Sequence, residues 1–199
     1  MKHLGGALTM KAELRATIDR IAELSHELIV SSKEFNNQDL EEAIEASGID
    51  VRYFVNKNYD GFLKWDTQQN CPIIAVNANQ APVRQRFSMA HELGHLILDW
   101  NWIPYSNNNK SFDKDKVLNV TLFRGVKQTP EETKVNEFAA AFLMPDSLLK
   151  KITDEVKERK ISYAEAIEKI KSIAGVSGVS AGYRFKHYCQ EKGLNIVNE

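Results

Sequence analysis

The 199-residue chain carries 26 basic and 27 acidic side chains, a formal net charge of -1, and 43% hydrophobic residues, enough to build a core of ordinary single-domain size. Charges so balanced and interspersed exclude the broad attraction that draws proteins to nucleic acid or to anionic membrane. No apolar run reaches spanning length, Met1 to Leu8 is too short for a signal sequence, and Cys71 and Cys189 stand far apart in no metal-binding spacing, so a cytoplasmic protein in a reducing compartment is expected.

From about Met10 to Val30, apolar Leu14, Ile18, Ile21, Leu24 and Ile29 recur at helical spacing, which predicts a long amphipathic helix. A shorter helix is predicted from Asp39, a suitable cap, to Ala46, with Gly48 as its stop. Three short strands follow, near Val51 to Val55, Gly61 to Trp65 and Pro72 to Asn77, separated by turn-forming residues and expected to make a small, mostly antiparallel sheet. Pro82 suits the first turn of the next helix, which runs to about Trp100. The long stretch Asn101 to Thr129 reads as a lid or a mobile loop, with a short alternating run at Val117 to Phe123. Thr129-Pro130-Glu131-Glu132 opens another helix that Pro145 ends. Two or three further helices are expected, near Ser147 to Lys160, Tyr163 to Ala174 and Ser180 to Gln190. The expectation is one domain over residues 1–199, with a core at about 50–145, N-terminal helices at about 10–48 and a C-terminal helical part at about 146–199.

Chemistry concentrates in Phe87-Ser88-Met89-Ala90-His91-Glu92-Leu93-Gly94-His95. His91 and His95 stand four apart, so on a helix they share one face and can grip one zinc ion, while Glu92 reaches water on that metal. Apolar Phe87, Met89, Ala90, Leu93, Leu96, Ile97 and Leu98 make this a largely buried helix, where two unpartnered imidazoles and a carboxylate would be costly and a metal removes the cost. His3, His26 and His187 are read as having no metal role.

A catalytic zinc takes three protein ligands and leaves one position to water. Asp99 shares the face of the two histidines but lies roughly 9 Å along the axis from their midpoint, too far to close the site. Leu98-Asp99-Trp100-Asn101 also lacks the third histidine of the metzincin signature. In the helix after Pro130, Glu132, Val135, Asn136, Ala139, Ala140 and Leu143 form one stripe suited to packing on another helix, and Glu132 heads it. Glu132 is therefore chosen as third ligand, although Thr129-x-x-Glu132 also spells a capping box that would merely tie down a helix start. Glu137, about 140° away around the helix, is expected to face solvent. Asn136 is placed to accept a hydrogen bond from a ligand imidazole, or is only a surface amide.

Ile74-Ala75-Val76-Asn77-Ala78-Asn79, Arg86 to His95, and Glu132-x-x-Val135-Asn136-x-Phe138-Ala139-Ala140-x-Phe142-Leu143-Met144-Pro145 together resemble the ImmA/IrrE metallopeptidases, a gluzincin-like group. The resemblance covers about Ile73 to Pro145, with a weaker echo from Val176 to Phe185. It implies an α+β, zincin-like core with a small antiparallel sheet, an active-site helix and added N- and C-terminal helices. It also implies that the glutamate four residues before the Asn, here Glu132, is the third zinc ligand. The family's members cleave a repressor or regulator, often beside a helix-turn-helix domain; this chain shows no such pattern at its N-terminus, has Asp99 where relatives often carry His, and Val135 in place of Ala.

The expected function is thus a zinc-dependent endopeptidase with His91, His95 and Glu132 as ligands and Glu92 as general base, acting on a protein substrate such as a helix-turn-helix regulator. A strand near Ile73 to Asn77 could pair with an extended substrate by its edge. Tyr183 and Arg184 are candidate oxyanion stabilisers through the C-terminal echo alone. Two rivals stand beside this reading: a regulatory module that keeps zinc for structure and grips a repressor or toxin partner, and DNA binding through Arg184, Lys186 and His187.

Overall fold

The computed structural model describes residues 10–30, 40–106, 120–123 and 129–195. Asp39, the proposed helix cap, and most of the stretch after Ser106 lie outside them. Eleven elements occur in the described residues: α1 (Ala12–Val30), α2 (Leu40–Ala46), β1 (Asp50–Phe54), β2 (Tyr59–Asp66), β3 (Cys71–Asn77), α3 (Pro82–Leu98), β4 (Val120–Phe123), α4 (Pro130–Leu143), α5 (Asp146–Lys157), α6 (Tyr163–Ala174) and α7 (Gly178–Glu191). None of these helices is long and apolar enough to cross a membrane.

The strands form one sheet in the order β1-β3-β2-β4. The sheet is mixed: β2 runs antiparallel to β3 and β4, in keeping with a mostly antiparallel sheet, and β1 runs parallel to β3, which corrects the wholly antiparallel sheet that the resemblance implied. The cause lies in β3, whose run Pro72-Ile73-Ile74-Ala75-Val76 is buried throughout, the signature of a strand with neighbours on both sides and cover on both faces. β1 takes its open side, and Arg52 of β1 bonds to Asp50 and to Asp66 of β2. With both flanks paired, β3 has no edge for an extended substrate; among the described strands the edges are β1 and β4.

α3 starts at Pro82, whose missing N–H costs nothing at a first helical position, and lays its apolar side on β2 and β3. α4 packs between α3 and α1. His26 of α1 donates from Nδ1 to the Phe142 carbonyl at 2.8 Å and stands edge-on to the Phe142 ring, so this histidine is a structural pin. One cluster of buried side chains runs from Ile18 and Ala22 of α1 through Leu93 and Leu96 of α3 and Phe138 and Phe142 of α4 to Ile170 of α6 and Phe185 of α7. The first residues after α3 belong to it too: Trp100 and Trp102 are buried, while Ile103 and Tyr105 are exposed.

Candidate metal centre

The two histidines project from the middle of α3 and are almost wholly buried. Their Nε2 atoms face each other at 3.1 Å. Each ring is held by its other nitrogen: His91 Nδ1 donates to Asn136 Oδ1 at 3.0 Å and His95 Nδ1 to Asp99 Oδ2 at 2.6 Å. With both Nδ1 atoms engaged, the two rings turn their Nε2 atoms toward one point.

Glu132 reaches the same point from α4, with Oε2 3.3 Å from His91 Nε2 and Oε1 3.5 Å from His95 Nε2. The capping alternative is half realised, because Thr129 Oγ1 accepts from the Glu132 backbone N–H at 3.2 Å. The Glu132 carboxylate does not close a box; it is spent on the histidines. The backbone of this residue thus starts the helix while its side chain joins the cluster.

α4 comes this close because Gly94 lies at the crossing. A Cβ built on Gly94 would stand 2.9 Å from Val135 Cγ1, closer than real contacts come, and 3.0 Å from Phe138 Cδ1, tight enough that the ring would have to give. The small residue inside the His-Glu-x-x-His motif is therefore the contact point that lets Glu132 and Asn136 meet the two rings.

Three acceptor groups converging without a donor between them repel unless positive charge lies among them. The titration of the cluster expresses the same demand. Burial works against charge on His95, yet its bonds to Asp99 and Glu132 carry it up to about 9; the neighbouring imidazoles hold Glu132 down to about 2. Among the described residues, His91, His95 and Glu132 form a group whose ligand atoms lie within 4.8 Å of one another. Two imidazole nitrogens and one carboxylate are a donor set that fits a divalent transition metal with a position left for water.

Glu92, the next residue after His91 on α3, is fully buried, and neither carboxylate oxygen has a hydrogen-bond partner among the described residues. Burial pushes its carboxyl up to about 8, with the His95 charge opposing and Glu132 adding to the rise. With no cation beside it a carboxyl so placed keeps its proton near neutral pH, and positive charge at the adjacent ligand set would favour the carboxylate, the form that can accept one.

Other expectations are corrected. Glu137 does not face solvent: it pairs with Arg15 Nε of α1 at 3.2 Å and with Arg184 Nη1 of α7 at 3.5 Å, and burial raises its carboxyl. The expectation treated α4 as a surface helix, whereas α1 and α7 cover its far side. Arg184 is buried in the same ion cluster, bonded to Asp19 at 2.8 Å and to Asp146 at 3.2 Å. It is thereby removed as an oxyanion stabiliser and as a DNA contact. Tyr183 stands 76% exposed on α7. His187 meets Arg15 and Glu191. Sequence reasoning placed Asp99 too far to bind metal and missed its bond to His95; the i, i+4 spacing of His95 and Asp99 carries that signal.

The peptidase family described as the IrrE N-terminal-like domain matches residues 44–186, from α2 into α7. The radiation response metalloprotease IrrE of Deinococcus radiodurans is 30% identical over 136 residues, which are 68% of this chain and 36% of that protein. Its namesake from Deinococcus deserti is 31% identical over 111 residues, 56% of this chain and 34% of that protein. The chain thus spans about a third of the length of the curated relatives it matches. A solved Mycobacterium tuberculosis transcriptional regulator aligns with a TM-score of 0.49 and 18% identity over 85% of this chain and 49% of that one, too slight a likeness to bear on function. With a family match that includes both helices of the histidine-glutamate cluster, the chain belongs to the ImmA/IrrE family of metallopeptidases.

Proposed function

We propose that this chain is a zinc-dependent endopeptidase in which His91, His95 and Glu132 hold the metal, Asn136 and Asp99 orient the two imidazoles, and Glu92 is the general base. The observation that carries the reading is the Glu92 carboxylate, buried and unpartnered beside a convergent ligand set. A structural zinc site fills its fourth position and needs no such group. When bound, the metal supplies a Lewis acid that acidifies water and polarises the scissile carbonyl. Glu92 takes the proton of the attacking water and delivers it to the leaving amine, a role for which an elevated pKa suits it. Asn136 and Asp99 keep both rings in the tautomer that offers Nε2.

The substrate proposed is a specific regulatory protein, a helix-turn-helix repressor or antitoxin-like protein, met in the cytoplasm. Family membership supports a protein substrate, and a cytosolic protease must be restrained by choice of partner. The boundaries proposed remain those of one metallopeptidase domain. The rival, a module that grips its partner without cutting, leaves the cost of burying Glu92 unexplained.

The test is to offer zinc-loaded protein both casein and a helix-turn-helix regulator from the same genome. A single cut in the regulator, lost in Glu92→Gln while zinc is retained, supports the reading. Undiminished cleavage by metal-replete Glu92→Gln, or rapid casein turnover with the regulator intact, refutes the assignment of base or of substrate respectively.

A further inference from the structure

The strand facing Glu92 is irregular at one place. Tyr59 of β2 pairs with Phe123 of β4 and Phe62 with Thr121, so Asp60 and Gly61 together oppose Leu122 alone. This is a β-bulge, an extra residue that bends a strand and turns neighbouring side chains off their usual alternation. Burial along β2 shows the effect: Gly61, Leu63 and Trp65 are buried at the period of two, and Asp60 is buried out of phase beside them.

Both bulged residues meet α3. The Asp60 carboxylate, only 4% exposed, accepts from Gln80 Nε2 at 2.8 Å and from Arg84 Nε at 3.0 Å, with a second bond from the Arg84 guanidinium. It therefore ties down the entry and first turn of α3. Gly61 lies opposite the middle of that helix. A Cβ built on it would stand 3.2 Å from Glu92 Oε1, 3.4 Å from Glu92 Cγ and 3.1 Å from the Ala75 carbonyl oxygen. The Glu92 carboxylate thus rests against the one strand position whose residue has no side chain.

We infer that the Asp60–Gly61 bulge is the positioning element for Glu92: Asp60 fixes α3 along the sheet, and Gly61 leaves the space in which the carboxylate sits. The inference rests on the reading of Glu92 as base. Gly61 and Asp60 are positioning residues and touch no reacting atom. A methyl group at position 61 cannot displace the Ala75 carbonyl, which belongs to the central strand; it displaces the far end of the Glu92 side chain. General base catalysis depends on such placement, and a misplacement of about 1 Å can cost about a hundredfold in rate.

The experiment is a double-mutant cycle of Gly61→Ala and Glu92→Ala, read by the thermal midpoint of the zinc-free protein, together with steady-state cleavage of the regulator by zinc-loaded Gly61→Ala. The cycle removes the Ala75 contact, which is the same in both backgrounds. Expected are a fall in midpoint for Gly61→Ala that largely disappears beside Glu92→Ala, and a kcat lower by about tenfold or more with KM within about twofold and zinc content unchanged. Strictly additive midpoints, an undiminished kcat, or a Gly61→Ala chain that still cannot fold beside Glu92→Ala would each overturn the inference. If the wild-type protein cuts nothing, the proposed function fails, and the cycle still decides whether Gly61 seats Glu92.

Discussion

Gly94→Ala is the substitution for which local and tertiary physics disagree in sign. In an exposed helix interior, alanine in place of glycine stabilises by about 1 kcal/mol. At position 94 the new Cβ would stand 2.9 Å from Val135 Cγ1 and 3.0 Å from Phe138 Cδ1. Both neighbours are fully buried, so neither can swing into solvent. Overpacking of that kind costs about 1–3 kcal/mol, which leaves the metal-free protein destabilised by about 0–2 kcal/mol once the helix gain is set against it. The larger effect falls on the metal. α4 must draw back from α3 by several tenths of an ångström, and it carries Glu132, while ligand distances in such sites hold to about 0.2 Å. A hundredfold loss of affinity would remove about 2.7 kcal/mol of zinc-conferred stability. Urea unfolding of wild type and variant, each with and without saturating zinc, separates the two parts. A variant that gains as much stability from zinc as the wild type would refute the claim that Gly94 sets the approach of the third ligand.

Four further outcomes follow from the same geometry. Glu132→Gln should lose zinc, together with the metal-free stability that its bonds to the two imidazoles contribute at neutral pH. Glu137→Gln should keep zinc but lose about 1–3 kcal/mol, because it strips a partner from the buried Arg184 cluster; metal analysis and denaturant melts distinguish them. Asp99→Ala should weaken zinc by about 10–100-fold, since it frees the His95 ring, as competitive titration against a chelator would show. His26 has its pKa lowered, by burial first, despite its bond to Phe142. The unfolded chain therefore binds the proton more readily, so this histidine's contribution is present above its ordinary value of 6.5 and is lost as pH falls through the lower folded value. The difference in melting temperature between wild type and His26→Phe should be larger at pH 7.5 than at pH 5; a constant difference would contradict the assignment.

Features set by a few neighbouring residues were legible in the sequence. α6 begins behind a Ser162–Glu165 capping box and ends at Gly175 in the left-handed conformation, which is why its bounds could be read directly. His91, His95 and Glu132 could be found because helical periodicity places each on a known face. What escaped was non-local. The parallel pairing of β1 with β3 depends on which strand claims an open edge, and a short turn after β1 suggested a hairpin instead. Glu137 was misjudged because α1 and α7, distant in sequence, cover the far side of α4. The partner of His95 was dismissed on its distance to the metal, although its carboxylate needed only to reach the opposite ring nitrogen. Nothing in Asp60-Gly61 announces a bulge until β4 is laid beside β2.

The central claim is that one metal ion lies among two imidazole nitrogens of α3 and one carboxylate of α4. Anomalous diffraction at the zinc edge from zinc-loaded crystals tests it most directly. The account predicts a single peak at about 2.0–2.2 Å from Nε2 of His91, Nε2 of His95 and a carboxylate oxygen of Glu132. A peak that excludes Glu132, or none in this cluster with zinc bound elsewhere, would contradict it.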